Sequence, residues 1–274
     1  MGYIVDLSHH QDPAKIDYDT FAKHLDHAII RTQYGSKTID NHYKTHHREL
    51  RKRGVPTAAY AWVRGVSEND MRIEARDFWN RTKDIEPTFW WLDVEEKSMN
   101  NMRSGVKAYV QELRKLGAKK VGVYIAHHLY KTFNLDLSDF DAVWIPRYGT
   151  NDGKPQKKPD YPCDLWQYTS KGRLPGYAGD LDLNMIISDK PLSFFTGVTN
   201  ASAKSENGMK EWQKKEAEEA LRELCRENII AYADNPDYWI KKLNDGTILQ
   251  EMAWQLPIAL NRINRKINQK SAKL

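Results

Sequence analysis

The chain has 274 residues, 40% of them hydrophobic, which is enough for one barrel-sized domain with a small addition. Its formal net charge of +5 favours anionic partners, such as a bacterial wall with its anionic polymers or nucleic acid, although an ordinary solvated surface is the simpler explanation of so small a charge. No apolar run approaches the roughly 20 residues that a membrane-spanning helix needs, and the first residues lack the basic and apolar regions of a signal peptide, so we expect synthesis in the cytoplasm.

Strand-like and helix-like segments alternate through the first 125 residues. Short apolar runs predict strands at residues 3–6, 28–33, 56–62, 88–93 and 120–125. The segments between them predict helices at residues 18–25, 41–53 and 104–116, and a further helix that begins at Ser67. This alternation is typical of parallel strands that are covered by helices.

The pattern changes after residue 125. A short helix is predicted at residues 127–133, followed by strands at 142–146, 164–168 and 183–187 that are joined by loops rich in Gly, Pro and Asp. Eight strands with helices mainly between the first five predict an α/β barrel with an irregular last third. Loops of this kind often frame a binding groove.

The remainder of the chain differs in character. Residues 197–208 are small and polar, without periodicity, and are predicted to form a linker. Amphipathic helices are predicted at residues 209–233 and 248–267, with a short helical turn at 238–243. Two such helices make a hairpin that buries little surface alone. We therefore expect residues 209–274 either to bind the wall, with their basic tail on anionic polymers, or to form a homo-oligomer.

The centre of the functional prediction is an apolar run that ends in acids, Thr88–Glu96. Asp93 and Glu95 are two residues apart, so on a strand they project to the same side at its carboxyl end. Barrel folds carry their chemistry at this end, and a like-charged neighbour raises the pKa of a carboxyl group, which suits a general acid. The same pattern is also common where an acid only caps the next helix. Asp6 and Asp182 stand at the first and last predicted strands, which are neighbours in a closed barrel, so they can face the pair.

Aromatic residues cluster at the ends of the predicted strands. They are Tyr34, Tyr60, Trp62, Tyr124, Trp144, Tyr148, Trp166 and Tyr168. Each one alone is more simply a core residue, but the repeated placement favours a groove with walls on which sugars can stack.

The histidines raise the question of a metal site. His42 and His46 are four residues apart on a predicted helix, a spacing that can bind zinc. No acid stands at a matching ligand position, and the sequence contains neither a glycine-rich nucleotide loop nor a Gly-x-Ser-x-Gly turn. We therefore predict neither a metal nor a cofactor.

Short motifs follow one another in a specific order across residues 3 to about 196. They include Asp6-Leu-Ser-His-His-Gln11, Ile29-Ile-Arg31, Leu92-Asp-Val-Glu95, Val143-Trp-Ile145, Leu165-Trp-Gln-Tyr-Thr169 and Asp182-Leu-Asn184. This ordered set resembles glycoside hydrolase family 25, the Chalaropsis-type muramidases, and is most similar to phage endolysins. The resemblance implies a flattened, TIM-like (β/α)5(β)3 barrel over residues 1–196. It also implies cleavage of the β-1,4 bond between N-acetylmuramic acid and N-acetylglucosamine in bacterial peptidoglycan, after a release of the holin type.

By the same resemblance, Glu95 is the general acid and Asp93 assists the acetamido group of the substrate. Asp6 and Asp182 are implied to hydrogen-bond around the site. The expected substrate-binding residues are Arg31, Tyr34, Tyr60, Trp62, Tyr124, Trp144, Trp166, Tyr168 and Asn184. Two alternatives stay open, a sugar-binding protein without catalysis and a metal-dependent deacetylase on a similar barrel. Nucleic acid is not an expected partner.

Overall fold

The structure is a computed structural model that describes residues 2–197, 211–230 and 235–244. The chain divides into two compact units, residues 1–201 and 202–274. No helix in these described segments is long and apolar enough to cross a membrane.

One sheet dominates the first unit, and the described residues place nine strands in it. The strands are β1 (Tyr3–Leu7), β2 (Leu25–Tyr34), β3 (Thr38–Ile39), β4 (Thr57–Trp62), β5 (Trp90–Val94), β6 (Val121–Ile125), β7 (Ala142–Pro146), β8 (Leu165–Leu174) and β9 (Tyr177–Ile186). Because β1 pairs with both β2 and β9, eight strands close into a barrel, and β3 is an extra strand on the edge of β2. Seven barrel strands run parallel, whereas β9 runs antiparallel to β8 and β1.

Helices cover the barrel mainly between its first strands. They are α1 (Tyr18–Phe21), α2 (Tyr43–Arg51), α3 (Glu68–Thr82), α4 (Met102–Leu116), α5 (Tyr130–Phe133) and α6 (Leu192–Thr196). Local chemistry sets their ends: the Ser67 side chain accepts from the Asp70 backbone N–H at the start of α3, and Gly117 ends α4 with a φ of 113°. The predicted mixed α/β barrel with an irregular last third is therefore confirmed.

The last hairpin is longer than the sequence pattern predicted. β8 continues to Leu174 and β9 already begins at Tyr177, so Asp182 lies within a strand rather than before one. The turn between them depends on Gly176, which has a φ of 93° and lies against the backbone at Asp17 and Phe21, where a side chain would not fit. Period-two alternation is weak in this glycine-rich stretch, which explains the shorter prediction.

The barrel interior opposite to the carboxyl strand ends is filled by apolar side chains, which we call the plug. Its buried members include Ile4, Ile29, Ala58, Phe89, Trp91, Leu165 and Phe195. The Phe89 and Trp91 rings stack with centroids 4.9 Å apart. A Cβ on Gly122 would overlap the Trp91 ring, so this close packing depends on glycine at that position of β6.

The second unit contains α7 (Glu211–Arg226) and α8 (Pro236–Asn244). Trp239 of α8 is fully buried and belongs to one apolar cluster with Leu221 and Cys225 of α7. Helix α7 ends at Arg226 rather than at residue 233, because Asn228 adopts a left-handed conformation with a φ of 51°. The predicted linker beyond residue 197 and the predicted helix at 248–267 lie outside the described residues.

Candidate active site

The carboxyl end of the barrel interior opens into a cavity of about 180 Å³, which we call the mouth. It is lined by Asp6, Ser8, His10, Arg31, Tyr60, Trp62, Asp93, Glu95, Tyr124, Trp144, Tyr148, Gln167 and Asp182. Each of the eight barrel strands contributes at least one of these residues. The topology therefore brings four carboxyl groups and several aromatic rings from distant parts of the sequence into one small space.

Two of these carboxyl groups, Asp6 and Asp182, lie side by side on neighbouring strands. They are direct register partners in the antiparallel pairing of β1 and β9. Burial, followed by the nearby charge of Asp182, raises the pKa of Asp6 well above its usual value. Burial also raises the pKa of Asp182, to about 6. A proton shared between the two groups relieves their repulsion, so the pair can hold one proton near neutral pH.

Glu95 follows the end of β5 and faces the same cavity. Burial raises the pKa of Glu95 to about 7, and the nearby charge of Asp182 adds to the shift. A large fraction of Glu95 is therefore protonated near neutral pH. This is the protonation state that a general acid needs before it donates.

Asp93 lies two residues before Glu95 and is 5% exposed. Burial, and then the charges of Glu95 and Asp6, raise the pKa of Asp93, while Arg31 acts in the opposite direction. Among the residues that the structure describes, none hydrogen-bonds to Oδ1 of Asp93. A buried carboxyl oxygen without a partner is costly, so this atom is available to a ligand that brings a donor.

A network of hydrogen bonds fixes the carboxyl group of Asp6. Its Oδ2 accepts from Nε2 of Gln167 at 3.0 Å and from Nδ2 of Asn184 at 2.8 Å. Oε1 of Gln167 in turn accepts from the hydroxyl groups of Tyr124 and Tyr148. These contacts set the orientation of the Gln167 amide, because an amide oxygen accepts and an amide nitrogen donates.

Arg31 lies on β2 between the mouth and a side pocket of about 330 Å³. Its Nε donates to Oδ2 of Asp40 at 3.2 Å, and a terminal nitrogen contacts the His9 ring. The buried Asp40 side chain also accepts the backbone N–H groups of His9 at 2.7 Å and of His42 at 3.0 Å. One carboxylate therefore connects the arginine of the mouth to the loop after β1 and to the start of α2.

An aromatic pair stands beside the acids at the rim. The Tyr34 and Trp62 rings lie 5.2 Å apart, and both donate to Oε2 of Glu96, at 3.2 Å and 3.3 Å. Arg64 lies over the Tyr34 ring at 4.6 Å and pairs with Glu96 at 3.0 Å. These contacts hold the two rings in a fixed orientation.

The structure brings together most of the predicted site residues, but four do not line the mouth. These are Tyr34, Trp166, Tyr168 and Asn184. Leu165 and Gln167 of β8 face the barrel interior, so the alternating Trp166 and Tyr168 face outward and pack in the core beneath α1 and α2. Strand parity therefore places these two rings outside the mouth, in contrast to the predicted groove wall.

The other two residues adjoin the mouth without lining it. Tyr34 lines the side pocket. Asn184 lies behind Asp6, where its Oδ1 accepts from Nε1 of Trp144 at 2.8 Å and its Nδ2 donates to Asp6. Its contribution is therefore the orientation of Asp6 and Trp144.

Sequence reasoning did not select three residues that line the mouth, Ser8, His10 and Gln167, and it placed Tyr148 among the groove aromatics without naming it as a substrate-binding residue. Parity along β8 could have found Gln167, since Leu165 was already assigned to a buried strand. Ser8, His10 and Tyr148 lie in loops after β1 and β7, where periodicity carries no information about direction.

His42, which precedes α2, and His46, which lies on it, do not form a metal site with the described residues. Nδ1 of His46 is 2.7 Å from the hydroxyl group of Tyr18, and the ring is fully buried. Burial lowers the pKa of His46 to about 4. Within the described ranges, no group of three or more potential ligands has the geometry to hold a metal ion.

Comparisons with known proteins agree with this arrangement. The family model "Glycosyl hydrolases family 25" matches residues 5–177. A glycosyl hydrolase 25 of Streptococcus pneumoniae, described as a virulence factor that participates in host cell invasion, is 36% identical. That match covers 74% of this chain and 91% of the other chain, with a TM-score of 0.67.

Two further solved structures are similar. The catalytic domain of an endolysin from bacteriophage P40 of Listeria monocytogenes is 29% identical, with 72% of this chain and 98% of the other covered and a TM-score of 0.66. A family 25 glycosyl hydrolase from Bacillus anthracis is 21% identical and shows the same fold, with 72% and 94% covered and a TM-score of 0.58. A comparison with curated proteins gave no match. The family match and the 36% identity together show that the chain belongs to glycosyl hydrolases family 25.

Proposed function

We propose that this chain is a peptidoglycan hydrolase of the muramidase type, which cleaves the β-1,4 bond between N-acetylmuramic acid and N-acetylglucosamine. The observation that carries the proposal is the buried Glu95, whose pKa burial raises to about 7, in a cavity that also holds three aspartates and five aromatic side chains. Family 25 membership and the similarity to a phage endolysin support the same substrate class.

Glu95 acts first as the general acid in this proposal. It donates its proton to the glycosidic oxygen while the bond to the leaving sugar breaks. The resulting carboxylate then accepts a proton from the water that completes hydrolysis. Burial of Glu95 beside Asp182 supports this role, because it raises the pKa of Glu95 to about 7 and so favours the protonated form.

Asp93 assists the acetamido group of the substrate. The N–H of that group is a donor, and Oδ1 of Asp93 is a buried acceptor that lacks a partner among the described residues. A hydrogen bond between them orients the acetamido oxygen for attack on the anomeric carbon and stabilises the positive charge that develops. The pair of Asp6 and Asp182 completes the negative field around that carbon.

The walls of the mouth bind the sugar rings. Tyr60, Trp62, Tyr124 and Trp144 offer ring faces and polar tips, and Arg31 offers a cation. To this set we add Tyr148 and Gln167, which line the cavity and connect to Asp6.

We assign this catalytic role to residues 1–196, with 197–208 as a linker. Residues 209–274 are proposed to target the enzyme to the wall or to dimerise it, and the protein is proposed to act on the wall after release from the cell that makes it. Co-sedimentation of the full chain with purified walls, compared with a chain truncated at Gly197, tests targeting. Light scattering of the same two proteins tests dimerisation.

Mass spectrometry of fragments released from purified peptidoglycan tests the reaction itself. The expected products carry N-acetylmuramic acid at the new reducing end, and Glu95→Gln is expected to release none. Products with N-acetylglucosamine at that end would assign a different bond. Binding to walls without any new reducing ends would favour the alternative of a sugar-binding protein.

A further inference from the structure

A groove on the outer wall of the barrel is lined by cations that the proposed reaction does not use. Its volume is about 730 Å³, and we call it the basic groove. It is lined by Ile39, Tyr43, Lys44, His47, Arg48, Arg51, Asn80, Arg81, Asp84 and Ile85. Four of these residues are permanent cations and one is an acid, so the groove carries a clear excess of positive charge.

Three of the cations form a row on α2. Lys44, Arg48 and Arg51 are exposed and stand at positions i, i+4 and i+7, which share one face of a helix. Like charges at this spacing repel one another and destabilise the helix. An anion that lies along the row removes this repulsion, so the row favours a partner with several negative charges in sequence.

Neutral groups, rather than acids, fix two of the three guanidinium groups of the groove. Arg51 donates to the backbone oxygen of Ile85. Arg81 donates to Oε1 of Gln33 at 2.6 Å and to the backbone oxygen of Ser36 at 2.8 Å. These contacts hold the two side chains in place without cancelling their charge.

Acidic compensation is small elsewhere in the groove. In the described part of the chain, no acid forms an ion pair with Lys44, Arg51 or Arg81. Arg48 pairs with Glu49 at 3.0 Å, but Glu49 also pairs with Arg53 at 2.8 Å, so one carboxylate serves two arginines.

The basic groove is connected to the mouth. Ile39 of β3 lines both the basic groove and the side pocket, and Arg31 lines both the side pocket and the mouth. A polymer in the basic groove therefore lies beside the glycan that enters the mouth.

We propose that the basic groove binds the phosphodiester backbone of an anionic wall polymer and so holds the barrel on the wall next to its glycan substrate. Ammonium and guanidinium groups both form charge-assisted hydrogen bonds to phosphate oxygens. The cations of α2 are about 4.5–6 Å apart along the helix axis, which suits successive charges of an extended chain. The location on a wall rests on the proposed function, whereas the binding chemistry does not.

Binding of soluble poly(glycerol phosphate) to the full chain tests the proposal. The double variant Lys44→Gln/Arg48→Gln removes two charges from the row and leaves the anchored Arg51 and Arg81 in place. The matched control, Lys115→Gln/Lys119→Gln, removes two exposed cations at and just beyond the end of α4. We expect the groove variant to bind about tenfold more weakly at low ionic strength and the control to bind as the parent does. The difference should shrink as salt is added.

An equal loss of affinity in both double variants would overturn the proposal, because it would show a response to net charge alone. Binding of the parent that persists unchanged in the groove variant would overturn it as well. So would equal competition by a DNA oligonucleotide of the same charge, which would make the groove a general polyanion surface. Thermal melting of all three proteins checks that each is folded. Since this assay involves no hydrolysis, a failure of the muramidase assignment would leave its result intact.

Discussion

Two layers of side chains fill the barrel interior, and the same strands supply both. On β5, Trp91 belongs to the plug and Asp93, two residues later, belongs to the mouth. On β1, Ile4 and Asp6 divide in the same way. A shift of two residues along a strand therefore separates a dry, close-packed layer from a layer of converging acids.

The two layers have opposite effects on stability. Burial of the plug stabilises the fold through apolar contact. The mouth lowers stability at neutral pH, because its carboxyl groups are buried near one another and their pKa values are raised. Burial is nevertheless the main cause of each raised pKa, so the same exclusion of water that stabilises the plug perturbs the acids. The comparison teaches that burial stabilises the apolar layer and destabilises the ionised form of the acids next to it.

The largest expected effect is the loss of activity in Glu95→Gln, without a loss of stability. Glu95→Gln removes the proposed proton donor but keeps the shape of the side chain, so kcat is expected to fall by about 10²- to 10⁴-fold. Release of reducing sugars from purified walls measures this loss, and circular dichroism checks the fold. A variant that clears walls at the rate of the parent would show that another group is the acid.

The same substitution is expected to stabilise the protein. The pKa of Glu95 rises from 4.5 to about 7 on folding, so the folded state holds its proton longer and stability falls as pH rises across this window. Glu95→Gln removes this loss, and we expect a gain of about 1–3 kcal/mol at pH 8. Urea unfolding at pH 4 and pH 8 measures the gain, which should be near zero at the lower pH. A loss of stability at pH 8 would contradict the claim that ionised Glu95 destabilises the folded protein.

In the plug the expected effect is on stability first. Gly122→Ala places a methyl group against the Trp91 ring, and overpacking of this kind costs about 1–3 kcal/mol. Trp91→Phe removes the part of the ring that meets the methyl group. The double variant is therefore expected to recover part of the loss, with a coupling energy of about 0.5–3 kcal/mol in a double-mutant cycle. Additive effects would show that the two residues do not share this contact.

A fourth prediction concerns the effect of the Asp182 charge on Glu95. Asp182→Asn keeps a hydrogen-bonding group beside Asp6 but removes a charge that raises the pKa of Glu95. The alkaline limb of the pH profile, where the acid loses its proton, is expected to move to lower pH by up to about one unit. The measurement is the pH at which kcat/KM falls on the alkaline side. It does not depend on the maximum value of kcat/KM. If the alkaline limb does not move, the charge of Asp182 does not affect the pKa of Glu95.

The sequence alone was sufficient to predict the strands that carry the acids. The run before Asp93 is apolar on both strand faces, and the spacing to Glu95 fixes a shared side, so both follow from local pattern. Closure of the barrel then placed Asp6 beside Asp182, as neighbouring first and last strands require. These inferences needed only periodicity and topology.

The sequence was insufficient where direction depends on parity or on loops. Trp144 and Trp166 are both tryptophans on barrel strands, but only Trp144 faces the barrel interior. Composition alone cannot distinguish them. The contact between Asp40 and Arg31 was also not predictable, because the extra strand β3 and the turn before α2 bring them together. A contact set by a short extra strand and a turn is a property of the folded chain, because neither segment has a periodicity that predicts it.

The smallest expected effect is that of Asp40→Asn, a substitution that we compare with Asp26→Asn at the other end of the barrel. Asp40→Asn replaces one carboxylate oxygen by a donor next to the Nε–H of Arg31 and the backbone N–H of His9, so Arg31 loses its fixed position beside the mouth. We expect KM for soluble glycan fragments to rise roughly three- to tenfold with little change in kcat, because the proposed substrate contact of Arg31 is weakened and the proposed acid is untouched.

Asp26→Asn is the matched control at the opposite end, where Asp26 accepts the backbone N–H of Gly2 at 2.7 Å and lies far along β2 from Arg31. It is expected to leave KM unchanged. Asp40→Glu, which retains the charge, should recover part of the affinity if orientation of Arg31 is the cause. A fall in kcat without a change in KM would instead show that Asp40 supports the acids of the mouth. Equal effects of Asp40→Asn and Asp26→Asn would show that Asp40 contributes only to the general stability of the fold.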